Sequence, residues 1–129
     1  MPTFPYTMIR TSYFARAANE PGAVSIARFP PQGYAGARYL PLAPPPALLK
    51  IDDRDEYRRR YDAEVLSVLD PDRVIRDLET LCPGHDSILL CFERDPAHCH
   101  RRLVAAWLYD MRGIHIPELG QESATRLAV

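Results

Sequence analysis

From Ser87 to Phe92 the chain runs apolar without alternation, and after Asp95-Pro96 apolar residues return at Leu103, Val104, Trp107, Leu108 and Met111. The first pattern predicts a strand covered on both faces, as in parallel sheets flanked by helices. The second predicts a helix over 97–112, started by the Asp-Pro pair and ended by Gly113. Side chains alternate along a strand, so Leu89, Cys91 and Glu93 should face one way and Ile88, Leu90 and Phe92 the other.

The same patterning organises the rest. Residues 6–14, YTMIRTSYF, mix β-branched and aromatic side chains and predict a first strand. A connection, ARAANEPG over 15–22, closes on a Pro-Gly turn signal, and a second strand, AVSIARF over 23–29, stops at Pro30-Pro31. Asp53 with Glu56 offers a capping box to a helix over 53–69, whose apolar positions are Tyr57, Tyr61, Val65 and Val68. Asp70-Pro71 starts another over 71–82, with Val74, Ile75, Leu78 and Leu81 as its stripe and Cys82 as a small core residue. A short strand over 114–116 precedes Pro117. Residues 119–129 have little to bury, and the tail is expected to fray. These elements predict the α/β class: a single compact domain over 1–129 with a small, mostly parallel sheet flanked by helices.

Composition changes this picture in one place. Most of the 13 prolines lie before residue 47, so PPQGYAGARYLPLAPPP, over 30–46, is expected to be a proline-rich loop, either packed on the domain or covering a ligand. A net charge of −1 gives no bulk electrostatic argument for nucleic acid or an anionic membrane. Arg58, Arg59 and Arg60 cannot share one helix face, because neighbours are about 100° apart. No apolar run is long enough to cross a bilayer. Three cysteines without framework spacing argue against a stapled secreted module and for a reducing, cytoplasmic compartment. The sequence carries no information on oligomeric state.

Candidate chemistry concentrates where the buried strand hands over to the helix. Its carboxyl end carries Cys91 and Glu93 to the sheet edge where open α/β folds bind ligands. Cys99 would sit in the first turns of the next helix, where free N–H groups favour a thiolate and attract anions. On the helical period Cys99 and His100 lean toward the sheet, His98 and Arg102 toward water, and Arg101 borders the mouth, placed to take a phosphate or carboxylate. Arg28, closing the second strand, would reach the same edge. Three readings compete: a reactive thiol at Cys99 or Cys91, a metal held by Cys91, Cys99, His98 and His100, and structural packing of all these groups. The Cys-x5-Arg phosphate loop is excluded, since Ala105 stands where the arginine is required. The C-x7-C-H spacing is not a zinc-finger pattern, so no metal is expected. Neither a G-x-G-x-x-G nor a Walker loop occurs, so no cofactor is expected either.

The stretch LLCFERDPAHCHRRLVAAWL resembles the signature of the domain-of-unknown-function family 488 (DUF488), a strand ending in Leu-Cys-x-Glu followed by Cys-His-Arg opening a helix. The resemblance extends through VSIARFPP, RYLPLAPPPALLK and DEYRRRYDAEVL. It implies an intracellular α/β domain, and it makes Arg28, Cys91, Glu93, Cys99, His100 and Arg101 the matching motif positions. Where that family has a glycine-containing turn after its first strand, this chain has TSYFARAANE.

The leading expectation is therefore a small enzyme acting on a phosphate-bearing or nucleotide-like ligand. Arg28 and Arg101 would bind the anion, Glu93 and His100 would act as acid/base groups, and Cys91 or Cys99 would be the thiol. The alternative is a non-catalytic module that binds nucleic acid or a nucleotide at the same edge.

Overall fold

The computed structural model of the protein describes residues 8–93 and 99–121. Strands β1 (Ile9–Tyr13), β2 (Ala23–Ser25), β3 (Ala37–Arg38) and β4 (Ser87–Cys91) form one sheet in the order β1-β4-β2-β3. Every pairing is parallel. The α/β architecture is completed by α1 (Phe14–Ala17), α2 (Arg54–Glu64), α3 (Pro71–Leu81) and α4 (His100–Arg112).

The unbroken apolar run became β4, which is buried at all five residues and lies between β1 and β2. Its alternation decides what packs on each face. Leu89 and Cys91 join the larger core with Val24, Ile26, Val74, Leu78, Val104 and Leu108, so α3 and α4 cover that side. Ile88 and Leu90 enter a smaller cluster with Phe14, Ala17, Ala23 and Ala27. Phe92, next on that side, packs its ring on Phe14 with centroids 4.9 Å apart.

Local signals set the helix starts. The Asp53 carboxylate accepts from the N–H groups of Asp55 and Glu56, and Asp70 accepts from Asp72 ahead of Pro71 at the first helical position. Gly113 adopts a left-handed φ of 68° and ends α4. Gly22 is required for another reason: a Cβ there would overlap the carbonyl of Asp86, while the Gly22 carbonyl accepts from Ile88 N–H at 2.8 Å.

Several expected boundaries move. The strand expected over 23–29 pairs only as Ala23–Ser25, and the helix expected over 53–69 ends at Glu64, followed by a separate 3-10 turn, Leu66–Val68. The proline-rich loop is not without regular structure: Ala37–Arg38 pairs with β2, and Leu40–Leu42 makes a 3-10 turn. Its prolines flank the paired residues and so cost the ladder no donor. The strand expected over 114–116 does not form. Instead Thr11 N–H donates to the Pro117 carbonyl and Leu119 N–H to the Thr11 carbonyl, so the chain meets the free edge of β1 slightly later, in a bridge between Thr11 and Glu118. Leu119 to Gln121, expected to fray, are thereby anchored at their start; 122–129 lie outside the described residues. So do Asp95-Pro96 and His98, while the described helix begins at His100 rather than near residue 97. No helix among the described residues is long and apolar enough to cross a membrane.

Candidate functional site

Beyond the carboxyl ends of β2 and β4 lies a cavity of about 980 Å³. Ala27, Arg28 and Phe29 come to it from the end of β2, and Cys91, Phe92 and Glu93 from the end of β4. Cys99, His100, Arg102 and Leu103 close it from the start of α4, and Arg54, Tyr57 and Arg58 from α2. A parallel sheet with a helix following its central strand makes such a hollow where the chain leaves the sheet.

At its floor three reactive side chains converge. Ligand atoms of Cys91, Cys99 and His100 all lie within 4.8 Å of one another. The His100 ring is held by Nε2, which stands 2.7 Å from the Ile26 carbonyl. A carbonyl only accepts, so Nε2 carries the proton and donates it. The Cys91 sulfur lies 3.5 Å from Nδ1 and 3.6 Å from Nε2. Being nearly equidistant, it sits off the lone-pair axis of either nitrogen, as a packed thiol does. The Tyr61 ring is tilted beside the imidazole, centroid to centroid 5.3 Å, and donates its hydroxyl hydrogen to the Leu42 carbonyl at 2.6 Å.

The two thiols differ in surroundings. Cys91 is buried, and burial pushes its thiol well above the ordinary range. Cys99 is half-buried at the N-cap of α4. Burial would raise it too, but hydrogen bonding with Cys91 and His100, the charge of His100 and the main-chain N–H of Arg101 more than offset this and lower it to about 4. Cys82, the third, is buried at the end of α3, and burial raises its thiol.

The arginines do not all fall where the helical period put them. Arg28 reaches the cavity, with Nε donating to the Pro44 carbonyl at 2.9 Å and Nη2 to Ala43 at 3.4 Å, so it pins the proline-rich stretch to the rim. Arg101, expected at the mouth, is instead fully buried. Its Nε and Nη2 donate to the Glu118 carboxylate at 3.1 and 2.8 Å, and Nη1 donates to the Glu93 carbonyl at 2.6 Å. Arg102, expected to face water, donates to Thr11 Oγ1 and to the Ile116 carbonyl. The buried side of α4 keeps Val104 and Leu108 of the expected stripe and adds Arg101 and Ala105 beside His100, while Leu103 and Trp107 are partly buried against the core and Met111 is exposed. A charged residue counts against burial in any hydrophobic pattern, and the partner that permits it lies 17 positions downstream. Glu93 is exposed on the cavity wall.

Sequence reasoning had no signal for Glu118 or Thr11, whose partners are distant in the chain. Tyr57 and Tyr61 appeared as apolar helix positions, and their place beside the thiols follows only from how α2 packs. Cys91, Cys99 and His100 were expected at this edge, and the structure brings them together there. These three are the described residues that could hold a metal ion. The ring orientation sets Cys91 aside from the nitrogen lone pairs, so as arranged the trio is a thiol pair with an imidazole packed beside it.

Fold and site together define a parallel α/β protein with a paired-cysteine and histidine site at the carboxyl edge of its central strand. The chain belongs to the DUF488 family: the model DUF488-N3a, described as the active DUF488-N3 subclade, matches residues 9–112. No curated protein and no solved structure gives a significant match.

Proposed function

We propose that the protein is an enzyme of a reducing, cytoplasmic compartment that uses Cys99 as a nucleophile on a phosphate-bearing or nucleotide-like ligand. The observation that carries this reading is the position of Cys99, beside Cys91 and His100 on the wall of a cavity large enough for such a ligand, with neighbours that lower its thiol. Arg28, Arg54, Arg58 and Arg102 line the same cavity and supply positive charge for an anionic group. Phe29 and Phe92 are largely exposed, at 63% and 55%, and line it as well, offering apolar faces to a planar ring. Glu93, exposed on the cavity wall, is the acid/base group of this reading. His100, fixed by Ile26, favours the thiolate of Cys99. Arg101 has no part in ligand binding here, because its donors face Glu118 and the main chain.

The test is modification of the native protein by iodoacetamide near neutral pH, with and without AMP or inorganic phosphate. Cys99 is expected to react first and to be shielded by AMP. A Cys99 no faster than Cys82 would overturn the nucleophile. A fast Cys99 that neither AMP nor phosphate slows would overturn the ligand class. AMP binding beside an inert Cys99 would mark a non-catalytic binding module instead.

A further inference from the structure

The nucleophile reading leaves Cys91 without a task, although it is buried beside the nucleophile. It stands at the last residue of β4, with its sulfur within 4.8 Å of the Cys99 sulfur. Of the two, only Cys99 is partly open on the cavity side, and Cys91 is 2% exposed. A disulfide needs sulfurs about 2.05 Å apart, so side-chain rotation must close a gap of at most about 2.8 Å, the difference between 4.8 Å and that bond length. Cys99 lies at an N-cap with extended backbone, φ −136° and ψ 144°, ahead of the first helical turn.

We infer that Cys91 and Cys99 are a resolving and an attacking thiol, which a hydroperoxide converts to a reversible intramolecular disulfide. The inference rests on Cys99 being the nucleophilic thiol and adds a modification site to it. In the first step the Cys99 thiolate attacks the outer oxygen of the hydroperoxide. The S–O bond forms, the O–O bond breaks, and the alcohol or water leaves after taking a proton, which makes Cys99 a sulfenic acid. In the second step the Cys91 sulfur attacks the Cys99 sulfur, the S–O bond breaks and water leaves with the Cys91 proton. Two thiols and one hydroperoxide thus give one disulfide, one alcohol and one water. A dithiol reductant returns both thiols. While oxidised, the site has no nucleophile, so peroxide would switch the activity off without destroying Cys99.

The experiment uses the full chain, reduced, freed of reductant and exposed to an equimolar amount of hydrogen peroxide. N-ethylmaleimide under denaturing conditions then labels every remaining thiol, and peptides are mapped. The expected result is simultaneous loss of label at Cys91 and Cys99, retention at Cys82, and recovery of both after dithiothreitol. In Cys91→Ser, Cys99 is expected to accumulate as a dimedone-reactive sulfenic acid. In Cys99→Ser, Cys91 should keep its label through the same treatment, so either variant suffices should the other fail to fold. Oxidation of wild-type Cys99 to sulfinic acid with Cys91 still labelled would overturn the inference. Fast iodoacetamide labelling of reduced Cys99 alongside that outcome would leave the proposed nucleophile intact, whereas slow labelling would remove both.

Discussion

Arg101 and Glu118 form a two-point ion pair with the guanidinium wholly out of solvent, Nε to Oε1 at 3.1 Å and Nη2 to Oε2 at 2.8 Å. Thr11 Oγ1 donates to the same carboxylate at 2.6 Å, and the remaining guanidinium edge holds the Glu93 carbonyl just past β4. One cation thus ties the exit of the central strand, the first turn of α4 and the segment bridged to β1. The site keeps its shape because this pair holds the strand and helix together from behind.

Removing the carboxylate should therefore be severe. In Glu118→Ala the buried guanidinium loses its counter-charge, and a broken buried pair costs ~3–5 kcal/mol. Arg101→Lys is not expected to rescue the fold, since one ammonium cannot make both carboxylate contacts and reach the Glu93 carbonyl. Urea unfolding of the two variants checks this, and a loss within ~1 kcal/mol for Glu118→Ala, the range of exposed pairs, would contradict the buried arrangement.

His100 carries a different expectation. Replacing it with Phe leaves the Ile26 carbonyl without its donor, a loss of ~1–3 kcal/mol, and takes from Cys99 a group that stabilises its thiolate. The Cys99 thiol should then titrate at higher pH, followed by ultraviolet absorbance of the thiolate. A Cys99 titration unchanged in His100→Phe would show that the imidazole does not tune it.

Gly22→Ala tests the strand entrance. The new methyl would overlap the Asp86 carbonyl, a backbone group that cannot swing aside, so β2 must shift against β4. Overpacking of this kind costs ~1–3 kcal/mol. An unchanged urea midpoint would mean that the two segments do not approach so closely.

Patterning along the chain carried the fold further than the site. Continuous apolar character identified β4 and its two covered faces, and the Asp53 and Asp70-Pro71 signals located two helix starts. These are local properties, expressed by residues near each other in sequence. β3 escaped because two paired residues among prolines leave no period to detect. On α4 the expected Val104 and Leu108 are buried, but the burial of Arg101 was missed, because an arginine weighs against burial until its carboxylate arrives from a distant segment. The approach of Cys91, Cys99 and His100 was anticipated from a strand handing over to a helix, but the division of labour between the thiols was not. It depends on how α4 and the Ile26 carbonyl hold the ring, which no spacing encodes.

The pH dependence of Cys99 alkylation in the native, reduced protein, followed peptide by peptide, decides whether this edge holds an activated thiol. The thiolate is the reactive form, so its fraction rises with pH and is half complete at the thiol's own pKa. With Cys99 lowered to about 4, its rate should be flat from about pH 6 to pH 8 and fall only toward the acid end. Cys82, raised by burial, should climb about tenfold per pH unit over that range. A Cys99 rate that climbs through neutrality in step with Cys82 would contradict the account.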